Sequence, residues 1–339
     1  MHWDANTLVI ALTVLFGLFF SVANGWNDSA NAIATVISTR VLRPWHAVIF
    51  GAALNFVGAL FFSKIAETVG SKVIDPNVAS PVIFLAAVMI APIWATVCTL
   101  MGLPISCSHS LFGGLIGAVL VAMGAGGLQG EGITKILIGV FLAPVVGLAL
   151  GYLMMLAVAW TFRRMHARTA SRLFGRLQIF SAGAMAFAHG TGDTQNPMGI
   201  IAGALIAAKF TEHVAGGSMH IPLWVRLACA ACMGIGTAVG GWSVIRTLGT
   251  GLADLKPYQG FCAETGAATT IICNTIGGIP ISTTHSITGA IMGVGAAKGI
   301  RAVKWAVGSK ILCAWIFTFP ACIAGGALLY LLLQACGLR

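Results

Sequence analysis

Two polar passages interrupt an otherwise oily chain, and each occurs twice, once in either half. Gly25-Trp26-Asn27-Asp28-Ser29-Ala30-Asn31 has a partner in Gly190-Thr191-Gly192-Asp193-Thr194-Gln195-Asn196. Likewise, Gly102-Leu103-Pro104-Ile105-Ser106-Cys107-Ser108-His109 recurs as Gly278-Ile279-Pro280-Ile281-Ser282-Thr283-Thr284-His285. The repeated Asp and His stand 81 residues apart in the first copy (28 to 109) and 92 in the second (193 to 285), a layout too regular for coincidence. Two units that each carry a carboxylate inside apolar sequence predict a membrane transporter with its site between the halves.

Composition agrees. The chain is 58% hydrophobic and 8% charged, where a soluble domain is about a quarter charged, so lipid rather than water must face most of it. Runs long enough to cross a bilayer core of about 30 Å fall near 44–62, 80–101, 106–124, 133–162, 222–240, 258–275, 281–297 and 305–335. Two more, 7–39 and 177–207, contain the Asn/Asp motifs and read as interrupted spans. The expected fold is an all-α polytopic membrane protein with about 10–12 membrane segments, including broken helices or hairpins. Met1 to Thr7 holds an Asp and no Lys or Arg, so the first apolar stretch reads as a retained span rather than a secretory signal.

A net charge of +10 would suggest nucleic acid in a soluble protein, but here the basic residues occupy short connections and no nucleic-acid partner is implied. Their pattern addresses topology. Arg163, Arg164, Arg168, Arg172 and Arg176 crowd one acid-free stretch, which the positive-inside rule makes cytoplasmic. Counting spans back from it returns Arg40 and Arg43 to the cytoplasm and puts the base-free Gly124–Gly132 connection outside. Counting forward reverses the pattern. Lys209–His213 falls outside, while Lys298, Arg301 and Lys304 fall inside. Equivalent loops thus carry opposite bias, which predicts inverted repeats at 1–162 and 177–339, a cytoplasmic basic linker at 163–176, and both termini outside. The nine cysteines lie mostly in apolar runs and read as small packing residues, the Cys229/Cys232 pair included.

A carboxylate at bilayer depth costs several kcal/mol, so Asp28 and Asp193 should be paired, protonated or functional. The plainer reading, Asn and Asp capping helix ends in the headgroup region, is weakened by the duplication. Gly25 and Gly190 would let the chain leave helical geometry, and Asn31 and Asn196 would share a side of the following half-helix with the Asp. Pro197 suits the first turn of such a helix. Pro104 and Pro280 would each open a helix whose free N–H groups and Ser/Thr hydroxyls suit a tetrahedral oxyanion, N-capping with a helix-packing glycine face being the alternative. His109 and His285 read as structural first, with proton carriage the alternative.

Charge then constrains the mechanism. An anion about 4 Å from an ionised Asp is repelled by roughly 4 kcal/mol at an effective dielectric near 20, so a cation must neutralise the site. Proton or sodium symport follows, with Asp28 and Asp193 as cation sites. Glu264 is a third acid in apolar sequence, and its counterpart at equal distance from the His is Val88.

At these residues the chain resembles the inorganic phosphate transporter (PiT) family. The matching passages are the GxNDxxNA-type motif at Gly25–Ala32 with its continuation to Arg40, the HGxxDxxN-type motif at His189–Asn196, and the GxPxSxxH-type motifs at Gly102–His109 and Gly278–His285. The resemblance implies an inverted-repeat permease of the plasma membrane whose transport domain moves against a scaffold, a homodimer being one assembly it allows. It implies proton- or sodium-driven symport of phosphate, free or as a metal–phosphate complex, with sulfate carried by a few relatives. No cofactor is implied beyond the coupling ion, H⁺ or Na⁺. Two departures matter: Gly192 stands where the family usually has Asn, and Pro197 where a small residue is more usual. The missing oxygen ligand at Gly192, with Val88 opposite Glu264, favours protons. Acceptance of a P–OH proton by an ionised Asp favours phosphate over sulfate.

The assignments are therefore Asn27, Asp28, Asn31, Asp193, Asn196 and Glu264 for the coupling cation, with sodium at the Asp/Asn motifs the metal to consider. Ser106, Ser108, Ser282, Thr283, Thr284, Asp28 and Asp193 are assigned to the substrate. Two other classes fit less well. A Ser/His hydrolase using Ser106 or Ser108 with His109 lacks an orienting acid. An anion channel would want Lys or Arg along its lining, and no basic residue falls inside the motifs.

Overall fold

In hydrocarbon a backbone has no water for its N–H and C=O groups and must bond them within its own segment, so an apolar chain of this length becomes a set of helices. The computed structural model describes residues 5–211 and 219–338, and among them regular structure is helical. The first half holds α1 (Ala5–Ser38), α2 (Pro44–Gly58), α3 (Lys64–Ser71), α4 (Pro81–Leu100), α5 (Cys107–Met123) and α6 (Gly130–Thr161). The second holds α7 (Ala167–Asp193), α8 (Gln195–Ala207), α9 (Leu223–Val239), α10 (Trp242–Arg246), α11 (Pro257–Gly277), α12 (Thr283–Lys298) and α13 (Trp305–Ala335).

The protein is a polytopic membrane protein. Among the described residues α1, α4, α6 and α13 are long and apolar enough to cross a bilayer unaided, and α9 with the segment Trp242–Gly251 forms a further candidate bent by 62°. A count of ten to twelve segments therefore rests on the shorter or more polar helices that carry the motifs. Helices α6 and α13 turn Phe141, Val145, Leu153, Ile316, Phe317 and Leu328 outward, the surface expected against lipid tails.

Three expectations need correction. The interruption expected in 7–39 is absent: α1 runs unbroken for 34 residues through Gly25 and Asp28. Gly25 serves close packing instead, since a Cβ there would lie 2.3 Å from the Met233 carbonyl oxygen of α9, and one at Gly190 would lie 2.2 Å from the Asn55 carbonyl oxygen of α2. The break in 177–207 is real but slight, a change of helix at Thr194, with Pro197 in the first turn of α8 as expected. Next, the linker expected at 163–176 is mostly helix, because α7 begins at Ala167 and carries Arg168, Arg172 and Arg176 on its exposed start. Finally, α5 and α12 begin three residues beyond Pro104 and Pro280, where Ser106 and Ser282 cap them by accepting from His109 N and His285 N, each at 3.2 Å. Two earlier readings reach outside the described residues: His213 of the Lys209–His213 connection, and Met1–Asp4 of the opening segment.

Two apolar cores hold the helices, and both halves contribute to each. The first gathers Val9–Ala23 of α1 with α3, α4, α5 and Met198–Ile206 of α8. The second gathers Ala30–Val36 of α1 with Phe174–Ala188 of α7, α11 and α12. What lies between them on these through-running segments is Asn24–Ser29 on α1 and His189–Asn196 on α7 and α8, the repeated polar passages. Packing across the halves is reciprocal. α1 lies on α9 and α7 on α2, while α5 lies on α13 and α12 on α6.

Candidate ion and substrate site

In the polar layer α1 offers Asp28 and Asn31 from one face, and the α7–α8 junction offers His189, Asp193 and Asn196. The first turns of α5 and α12 meet them with Ser108, Thr283 and Thr284. All eight are at most 2% exposed, so every polar atom must find its partner here or in a passenger.

The bonds come in matching pairs. Asn31 Nδ2 donates to Thr284 Oγ1 at 2.9 Å, and Thr284 donates to Asp28 Oδ1 at 2.9 Å. Correspondingly, Asn196 Nδ2 donates to Ser108 Oγ at 2.8 Å, and Ser108 donates to Asp193 Oδ1 at 3.4 Å. Each Asp is thus reached by a hydroxyl from the other half. Thr283 joins the two sets, donating to Asp193 Oδ2 at 2.7 Å and accepting from Asn31 Nδ2 at 3.2 Å. In the first half Cys107 takes the matching place against Asp28.

His189, a member of the HGxxDxxN-type motif to which the sequence assigns no role, stands between the carboxylates. Its Nδ1 donates to Asn55 Oδ1 at 2.7 Å, which leaves Nε2 facing Asp193 Oδ2 at 3.1 Å and Asp28 Oδ2 at 3.8 Å. With Nδ1 already carrying a hydrogen, an unprotonated Nε2 would set a lone pair against a carboxylate oxygen. Nε2 has no hydrogen-bond partner of its own, so a proton or a cation shared with the two carboxylates is what this position can take. The available signal was the four-residue spacing of His189 and Asp193, which puts both on one helix face.

The layer also offers acceptors. The amide oxygens of Asn31 and Asn196 are buried without a hydrogen-bond partner among the described residues, and ligand atoms of Asp28, His189 and Asp193 all lie within 4.8 Å of one another, a spacing that could hold a metal ion. Beside these acceptors stand the positive ends of α5 and α12. Anion and cation can thus sit next to each other.

Not every assigned residue joins this layer. Ser106 and Ser282 spend a lone pair on their own helices, as the capping alternative had it. Asn27 turns aside, its Nδ2 donating to Thr99 Oγ1 at 2.7 Å. Glu264 forms a cluster of its own, accepting from Thr35 and Ser181 hydroxyls and from Gln178 Nε2 at 3.2 Å. Thr35 follows Asp28 by two helical turns, about 10 Å along α1, so the structure separates Glu264 from the carboxylate pair. Val88 lies in the first apolar core beside Gly17 and Ile201. The rings of His109 and His285 meet edge to face at 4.7 Å, and His285 stacks on Trp315 of α13 at 3.6 Å. The His109 ring is therefore turned to aromatic neighbours, and what Ser106 holds is the His109 backbone N–H.

Comparison with known proteins decides the family. The profile of the phosphate transporter family matches residues 24–326. The chain belongs to that family. It is 42% identical over 327 residues to a protein of Rhizobium meliloti (strain 1021) named as a probable low-affinity inorganic phosphate transporter, covering 96% of both chains. A relative of the same name from Bacillus subtilis (strain 168) is 36% identical, with 98% of this chain and 99% of that one covered. A solved sodium-dependent phosphate transporter shares the fold, with a TM-score of 0.89, 23% identity, and 97% and 99% of the two chains covered. The chain is accordingly a transporter and not an enzyme.

Proposed function

We propose that this protein is a symporter that imports inorganic phosphate through the plasma membrane by alternating access, driven by protons, with sodium the alternative coupling ion. The observation that carries the reading is the polar layer, in which two carboxylates and two hydroxyl-bearing helix starts, one of each from either half, close on one another between two apolar cores. The reciprocal packing of α1 on α9 and α7 on α2 supports an inverted repeat divided near residues 162–177. Phosphate binds at the first turns of α5 and α12 through Ser108, Thr283 and Thr284, with the helix dipoles behind them. Asp28 and Asp193, with Asn31 and Asn196, hold the coupling cation, and His189 Nε2, facing both carboxylates, is the group placed to take up and release a travelling proton. Sulfate is disfavoured because an ionised Asp can accept from P–OH and sulfate offers no such donor at neutral pH.

A second form of cargo has its own observation. The Asp28, His189 and Asp193 ligand atoms could hold a divalent ion, which would enter as a neutral metal–phosphate complex. Uptake of labelled phosphate into proteoliposomes tests both. Accumulation should follow an inward proton gradient, and removal of magnesium and calcium should lower it if the complex is the cargo. Failure to accumulate phosphate under either a proton or a sodium gradient sinks the symporter reading.

A further inference from the structure

Beside the Gly102–Ser106 passage that leads into α5, a cavity of about 410 Å³ opens between that passage, the bent segment that follows α10 and the start of α13. Arg246, Thr247 and Thr250 line one wall, Lys310 another, and Gly102 and Leu103 a third. Among the described residues no acid lines it. Asp254, the acid of this region, is already taken by Lys304 at 3.0 Å, whereas Arg246 and Lys310 have no carboxylate partner among the described residues. The cavity therefore carries two uncompensated cations.

Topology alone does not explain them, because Lys298, Arg301 and Lys304 already supply basic charge to the adjoining connection. Lys310 stands about a turn and a half inside α13, a helix long and apolar enough to span the bilayer. An ionisable side chain within a span is expected to face a partner or a polar cavity, and this one lines the cavity. Arg246 ends α10 and is followed by a π-helical turn, Thr247–Gly251, a helix form that recurs at functional sites. Side-chain bonds hold these walls against the passage. Thr247 Oγ1 donates to the Gly102 carbonyl at 2.8 Å, and Ser243 Oγ donates to the Thr99 carbonyl at 2.6 Å. From the α13 side Trp315 Nε1 donates to the Pro104 carbonyl at 3.1 Å. The passage they grip continues into the first turn of α5, where Ser108 reaches Asp193.

We propose that this cavity is an oxyanion-binding vestibule on the cytoplasmic side of the polar layer, in which Arg246 and Lys310 hold phosphate between the first turn of α5 and the cytoplasm. The inference rests on the proposed transport reading. Its side follows from Lys304, which donates to the Thr250 carbonyl at 2.9 Å and which the proposed topology makes cytoplasmic. The Arg246 guanidinium fork matches two phosphate oxygens, and the Lys310 ammonium adds a point charge. The Thr247 and Thr250 hydroxyls spend their hydrogens on backbone carbonyls, so they offer lone pairs to a P–OH. Unlike the carboxylate-lined layer, the vestibule needs no accompanying cation, since its own side chains neutralise the anion.

The test compares the full-length wild type with Arg246→Gln, Lys310→Gln, the double variant and the charge-keeping Arg246→Lys. Both side chains are exposed, so folding should be retained, and melting in detergent checks it. The half-saturating phosphate concentration for equilibrium exchange is measured in everted vesicles, which present the cytoplasmic face, and in right-side-out vesicles. At low ionic strength the double variant should raise it about fivefold or more in everted vesicles and leave it unchanged in right-side-out ones, a difference that shrinks in high salt. Arg246→Lys should fall between the wild type and Arg246→Gln. Values equal to the wild type, an equal rise on both faces, or a rise confined to right-side-out vesicles overturns the proposal. Free phosphate should also raise the melting temperature of the wild type in detergent more than that of the double variant. If only phosphatidylglycerol stabilises through these two residues, the cavity holds a lipid headgroup and the proposal fails. A wild type that carries no phosphate, yet keeps the stabilisation by phosphate that depends on Arg246 and Lys310, overturns the transport reading and leaves the binding site standing.

Discussion

Hydroxyls in the polar layer fall into two kinds, and substitution should tell them apart. Ser106 holds a backbone N–H of its own helix, so Ser106→Ala should cost about 1 kcal/mol of stability, as cap removals do, and leave the phosphate KM close to that of the wild type. Thr284 lies between Asn31 and Asp28, so Thr284→Val leaves a carboxylate and an amide each short of a bond. It should raise KM or abolish uptake at normal membrane abundance. Asp28→Asn and Asp193→Asn should each abolish coupled uptake with the protein still inserted, measured by proteoliposome accumulation against reconstituted amount. Full transport by both would refute their assignment. Much of this layer was legible in the sequence, because duplication marked Asp28, Asn31, Ser108 and Thr284 together with their partners. His189 was less so: its counterpart on the 165-residue spacing of the two Asp is Asn24, so the repeat gave no second histidine to notice.

At the scale of the helix, the duplicated glycines have an effect opposite to the one their type suggests. Glycine usually signals a break, yet α1 passes straight through Gly25 because the residue's use is the absence of a Cβ under a neighbouring backbone. That reason depends on α9, which lies some two hundred residues away in sequence, and local pattern cannot show it. Gly25→Ala should therefore act through overpacking, lowering stability by roughly 1–3 kcal/mol without a change of ion preference, as read by melting in detergent and by sodium titration. Glu264 illustrates the same limit. Sequence placed it with the other acids by type, whereas α11 delivers it against Thr35 of α1 and Ser181 of α7, away from them. A Glu264→Gln variant would set an amide N–H₂ against hydroxyls that now donate. It should weaken the response of uptake to an imposed pH gradient while phosphate exchange at equal pH persists.

For the whole molecule, the basic residues of 163–176 and the reciprocal packing support the proposed orientation. The proposed inverted arrangement would put both chain ends on the side opposite Arg163, Arg164 and Arg168. Tags at either end should be reached by an impermeant reagent from outside the cell, and a cysteine placed at 164 should be labelled only after permeabilisation. A cytoplasmic terminus would break the scheme. Composition alone made the class legible, but not how helices are shared between cores, since pairs such as α5 with α13 and α12 with α6 join segments far apart in sequence.

The separate Glu264 cluster has a consequence for rest. In a carrier built from two identical inverted halves, the forms open to either side would be equal in free energy, and the unloaded protein would divide its time evenly between them. Here Thr35, Gln178, Ser181 and Glu264 form a bonded network, whereas the residues in the corresponding places are Ile200, Thr13, Phe16 and Val88. Exchanging the roles of the halves cannot rebuild that network on the other side. Under the proposed alternating access, the unloaded carrier should therefore favour one orientation, and leaving it should be the slower step of the return.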